Sequence, residues 1–123
     1  MLRGAIREFR PMVEFSVIGS DGRRATIPFV LDTGYSGTLA LPEAFCEQLA
    51  LVWDRSQPAT LANGTSIIVD VYLGRMSWGT EEKLVEVLAV EGDPLIGLIA
   101  LEGCRVCLDV QEGGAVMVEG ILV

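Results

Sequence analysis

The chain has 123 residues, half of them apolar and 21% charged, with 9 Lys and Arg against 17 Asp and Glu, a formal charge of −8 and no histidine. That length fits one domain, residues 1–123, with one core, and the acidic balance argues against nucleic acid and anionic membrane surfaces as partners. Without histidine, Ser-His-Asp, Cys-His and zinc-hydrolase schemes cannot be built from this chain, so any catalysis must rest on carboxylates.

The apolar content fits either a dense β core or a face covered by a partner subunit. Residues 1–10 interleave charge with apolar side chains and lack the apolar core of an export signal. The apolar stretch at 95–101 is far short of the roughly 20 residues a membrane helix needs. Three cysteines, an odd number, fit a reducing compartment. A soluble, cytoplasmic protein is expected.

Along the chain, Val13, Phe15 and Val17 alternate with Glu14 and Ser16, the period of a strand with one buried face. A turn at Ser20, Asp21 and Gly22 leads into an apolar run over 25–31 that reads as a strand buried on both faces, with Pro28 marking an edge or bulge. After the segment 32–37 comes a short strand over 38–41, then a helix opened by Pro42 and Glu43 and running to about Ala50. Asn63 and Gly64 signal a hairpin between two long strands. The downstream arm covers 66–78, with Ile67, Val69, Val71 and Leu73 on one face and Ile68, Asp70 and Tyr72 on the other.

A turn over 79–82 and a strand over 84–90 follow, broken by Gly92, Asp93 and Pro94. Residues 98–103 read as a single helical turn, and 105–110 and 115–123 as strands joined through Gly113 and Gly114. Tyr35, Trp53 and Trp78 read as core, with Tyr35 alternatively lining a cleft. The whole is a mostly β domain, a small closed antiparallel barrel with one or two short helices.

Asp32, Thr33 and Gly34 end the apolar strand on a carboxylate in a glycine-punctuated turn. Local turn chemistry alone could account for these residue types. Leu95, Ile96 and Gly97 follow later in the chain, and the hairpin of Ala62, Asn63, Gly64 and Thr65 falls between. In this order the three features resemble the retroviral-type (retropepsin-like) aspartic proteases, and a chain this short resembles their bacterial-type small single-domain members.

The resemblance implies an aspartic endopeptidase acting on a peptide or protein substrate, with no cofactor and no metal. It implies a homodimer in which Asp32 of each subunit activates one water. Thr33 and Gly34 would shape and clamp the catalytic loop, Leu95, Ile96 and Gly97 would support it from behind, and residues 62–65 would form a flap over substrate. Ser36 would either hydrogen-bond the outer oxygen of Asp32 or cap the following turn. Tyr35 departs from the family pattern, which has a small residue there. The terminal segments 1–9 and 116–123 are candidates for an intersubunit sheet.

Four other readings compete. A non-catalytic barrel could bind peptides or a protein partner through the same cleft. A phosphotransferase aspartate is echoed faintly, but Gly34 stands where those enzymes carry a second acid. Cys104 and Cys107 have half the spacing of a zinc knuckle, on a strand that points them to opposite faces. A monomeric enzyme would need Asp70, Asp93 or Asp109 as its second acid.

Overall fold

The computed structural model describes residues 2–120, and of Trp78 only the backbone. The elements in chain order are β1 (Leu2–Arg7), β2 (Arg10–Ile18), β3 (Arg24–Leu31), β4 (Leu39–Leu41), α1 (Glu43–Gln48), β5 (Val52–Thr60), β6 (Ser66–Trp78), β7 (Glu81–Ala89), β8 (Leu95–Ile96), β9 (Cys104–Leu108) and β10 (Ala115–Gly120). The protein is mostly β, with one short helix among the described residues. Residues 98–103 make helix-like turns and no α-helix. They make successive i to i+3 turns, with Leu101 N donating to Leu98 O and Glu102 N to Ile99 O, and Gly103 at φ +79° leads the chain into β9.

The ten strands form one mixed sheet in the order β5-β6-β7-β4-β8-β3-β2-β1-β10-β9. An additional pairing, Val17 and Ile18 of β2 with Met76 and Arg75 of β6, joins β2, β3, β8, β4, β7 and β6 into a ring of strands. The sheet is not wholly antiparallel: β3 runs parallel to β8, and β4 to β7. Parallel neighbours need long crossovers, and the chain between β3 and β8 is long enough to supply one.

The core fills the ring. Phe15 of β2 and Phe29 of β3 stack with ring centroids 4.2 Å apart, surrounded by Leu31, Leu39, Met76, Val87 and Ile96. On β3 only the odd positions Phe29 and Leu31 are buried, while Thr26 and Pro28 are exposed. The expected burial on both faces therefore does not occur, because β8 pairs only with Val30 and Leu31 and nothing covers the outer face upstream. Pro28 lies at a true edge: Val30 N and Asp32 N donate toward the β8 side, so position 28 points its missing N–H the same way, past the end of β8.

On β6 the expected face assignment fails beyond Val71. Val69, Val71, Tyr72 and Met76 are buried and Leu73 is exposed, so the buried face changes over 71–73, where β6 is paired with both β5 and β7. An irregularity in β5 between Trp53 and Arg55 lies opposite that point. Trp53 is not core either. It is 56% exposed, with its indole N–H on Asp70 at 3.1 Å. The expectation for the Trp78 side chain lies outside the described residues.

The terminal segments are not free for an intersubunit sheet. β1 is hydrogen-bonded to both β2 and β10, and β10 to both β1 and β9. Val118 belongs to the core, and Met1 and residues 121–123 lie outside the described residues. The open sheet edges are β5 and β9. The strand expected over 105–110 is β9, which stops at Leu108 and leaves Val110 exposed.

Phe29 is 0% exposed and stacked on Phe15. Phe29→Ala should cost about 3–5 kcal/mol, measured as a lowered midpoint in urea denaturation with little change in slope.

Candidate active site

The segment after β3 folds back on itself at once. Tyr35 N donates to Asp32 O at 3.1 Å, closing a turn over 32–35, and Gly34 N donates to Asp32 Oδ1 at 2.9 Å. Asp32 is thus half-buried with one carboxylate oxygen engaged, and its Oδ2 has no hydrogen-bond partner among the described residues. Thr33 and Gly34 are exposed. Ser36 is exposed too.

Leu95, Ile96 and Gly97 run directly against this loop. Asp32 N donates to Ile96 O at 3.0 Å, and Gly97 N to Thr38 O at 2.8 Å. The chain just beyond continues the contact, with Leu98 N on Tyr35 O at 2.9 Å and Ile99 N on Gly37 O at 3.0 Å. Ile96 is fully buried between β3 and β4, while Leu98 and Ile99 are exposed beside the loop. Four main-chain hydrogen bonds therefore hold the carboxylate's loop to a segment remote in sequence.

Tyr35 is the residue of this loop whose role the sequence left open. It lies half-buried, its hydroxyl on Leu39 O at 3.3 Å. A Cβ at Gly97 would come within 2.7 Å of both Tyr35 Cδ2 and Tyr35 O, and one at Gly37 would also strike the ring. The ring occupies space that only two glycines leave, which is the compensation for a bulky residue after Asp-Thr-Gly. Burial, and then the Glu86 carboxylate, raise the Tyr35 phenol above its ordinary value.

Ala62, Asn63, Gly64 and Thr65 form the exposed tip of the β5–β6 hairpin. Gly64 N donates to Leu61 O at 2.9 Å and Leu61 N to Thr65 O at 2.8 Å. Asn63 Oδ1 accepts from Thr65 N, and Gly64 takes φ +86°, the left-handed conformation that favours glycine. No hydrogen bond among the described residues joins this tip to the Asp32 loop. The base of the hairpin is fixed to β7 by Arg55, whose guanidinium reaches Glu86 at 2.8 Å and Asp54 at 2.6 Å.

None of the other aspartates meets Asp32. Asp70 accepts from Ser56 Oγ at 2.7 Å and from Trp53, which hold its carboxyl below the usual range. Asp93 is paired with Arg10, and Asp109 is exposed. Cys104 packs against the core while Cys107 is exposed, and the described residues contain no group of three or more His, Cys, Asp or Glu placed to hold a metal ion. Among the described residues, no helix is long and apolar enough to cross a membrane. No protein-family model, curated protein or solved structure matches this chain.

Gly97→Ala should drive its Cβ into the carbonyl oxygens of Gly37 and Tyr35 as well as into the Tyr35 ring and cost about 1–3 kcal/mol, and because two of these contacts are main chain, adding Tyr35→Ala should not restore stability in urea denaturation. A second prediction concerns Tyr72, whose hydroxyl donates to Glu43 Oε1 at 3.2 Å. Burial first, and then Glu43, push this phenol from its ordinary 10.0 up to about 12. The folded state holds the proton more tightly, so the stabilisation is full below pH 10 and is lost as pH rises toward 12. Tyr72→Phe should flatten the fall in stability across that window, read by thermal melts at stepped pH.

Proposed function

We propose that this chain is a small retropepsin-like aspartic endopeptidase that works as a homodimer, and that its ring of strands is the small barrel of that family. The observation that carries this reading is the Asp32 turn, pinned from behind by Ile96 and Gly97 and left with one free carboxylate oxygen. The β5–β6 hairpin, with an exposed tip and an anchored base, supports it as a flap.

One Asp32 per chain means the catalytic pair forms only when two copies meet. Two carboxyls a few Å apart cannot both ionise easily, so the pair retains one proton across a wide pH range. The ionised member takes a proton from water as the water attacks the scissile carbonyl carbon. The protonated member gives its proton to the carbonyl oxygen. Closure of the hairpin would exclude bulk water from the reacting groups.

The same turn gives the alternative its footing. A carboxylate that caps Gly34 N has a local reason to exist, and a β module of this shape could bind peptides without cleaving them.

Cleavage of a casein-like mixture at mildly acidic pH should fall by on the order of 10²–10⁴ in Asp32→Asn, with the fold retained by circular dichroism. Light scattering should show a dimer under the same conditions. A monomer that still cleaves overturns the shared site, and peptide binding without cleavage, unchanged by Asp32→Asn, establishes the binding module instead.

A further inference from the structure

A cleft of about 730 Å³ lies on the outer face of β1, β2 and β3, and its walls carry Arg3, Arg7 and Arg10 together with Glu8 and Glu14. Ala5, Met12 and Pro28 make an apolar floor. Three of the chain's nine cations thus gather on one face of a protein whose formal charge is −8. The cations are not equivalent. Arg10 is answered by Asp93 and Glu8. Arg3 and Arg7 are exposed and form no ion pair among the described residues.

The sheet register leaves both without an ion pair among the described residues. Arg7 is the cross-strand partner of Arg10, and like charges placed directly opposite repel. Arg3 falls one step beyond the Gly4 and Val13 pair, alongside Glu14, yet no ion pair closes between them. Glu112 is held by the main-chain N–H groups of Glu8 and Phe9, at 2.9 and 3.0 Å, and Arg7 reaches it only through its field. A guanidinium on the exposed face of a strand in an acidic protein is well suited to a carboxylate supplied from outside.

Spacing selects the ligand. Arg3 and Arg7 share one face of β1 four residues apart, which separates their Cα atoms by about 13 Å. One small anion can engage one of them at a time. An extended polypeptide whose acidic residues also lie four apart presents its carboxylates with the same repeat on one face. Such a chain can set neutral residues opposite Glu8 and Glu14, whereas a continuous polyanion would meet both carboxylates and the overall negative field.

We propose that this cleft docks an extended acidic segment of a partner polypeptide, with its carboxylates on Arg3 and Arg7 and its apolar side chains on Ala5, Met12 and Pro28. The docking does not require Asp32 to be catalytic.

The probe is a fluorescent peptide, extended and proline-flanked, with two glutamates four residues apart, titrated into the full chain by anisotropy. Its glutamine counterpart should bind about tenfold more weakly, and Arg3→Gln with Arg7→Gln should weaken the glutamate peptide by about the same factor. Raising the salt should weaken it further. Glu14→Gln, at an exposed position that carries no packing, should tighten it. Asp32→Asn should leave it unchanged, which separates this site from the proposed catalytic one. Equal binding of the two peptides, indifference to the arginine substitutions in folded protein, or tighter binding of a single-stranded oligonucleotide would each overturn the proposal.

Discussion

The contact between the loop over 32–38 and the segment over 95–99 governs this molecule. Buried main-chain groups must find partners, and these two segments satisfy each other through Asp32, Gly97, Leu98 and Ile99 as donors. β8 is only two residues long and β4 only three. Neither could persist as an isolated strand, so each owes its place to the hydrogen bonds and to the burial of Ile96 and Leu39 at the centre of the ring. The parallel pairings of β3 with β8 and of β4 with β7 follow from the same docking, since the chain must return past the loop in the direction in which it first left.

From that contact the molecule divides into a fixed part and a projecting part. The ring encloses Phe15, Phe29, Leu31, Met76 and Val87, so opening it would expose most of the core at once. The outer half of the β5–β6 hairpin has no such cover: its tip is exposed and Ile68 is 70% exposed. Arg55 with Glu86, and Asp70 with Trp53 and Ser56, tie only the base. The hairpin is thus tied at its root, while its outer half buries little.

How much of this could be read from residues alone depended on whether a signal was local. Gly64 takes the positive φ that few residues tolerate and Asn63 accepts from Thr65 N through its side chain, and the hairpin lies where the dipeptide puts it. Pro42 and Glu43 likewise open the helix, with Pro42 at its N-cap. The misassigned positions depend on contacts between distant segments. Alternation along 66–78 could not reveal that β6 pairs with β5 over its first part and with β7 over its last, with both over 71–73. Apolar residues over 25–31 looked doubly buried because composition does not disclose that β8 is too short to cover them. Leu98 and Ile99 read as a helical turn, and their carbonyls do accept from Leu101 N and Glu102 N, but sequence could not show that their N–H groups, left over in any first turn, go to the Asp32 loop. At the site, the aspartate and its neighbours were legible as a motif, whereas the role of Tyr35 was not, because it is defined by the missing side chains of Gly37 and Gly97.

The sheet order also constrains how two copies could meet in the proposed dimer. Since β1 and β10 already have neighbours on both sides, main-chain pairing through the described terminal strands is closed to a second copy. What surrounds Asp32 at the surface is Thr33, Gly34 and Ser36, with Leu98 and Ile99 beside them. Leu98 and Ile99 are 48% and 60% exposed, an apolar pair held in place by the same hydrogen bonds that hold the carboxylate. A partner that covered this pair would remove apolar surface from water, a gain of about 25 cal/mol per Å². It would also bring a second Asp32 loop toward the first. In that arrangement the segment that positions the acid and the surface that recruits its counterpart are one stretch of chain, so packing errors behind the loop would weaken association and catalysis together.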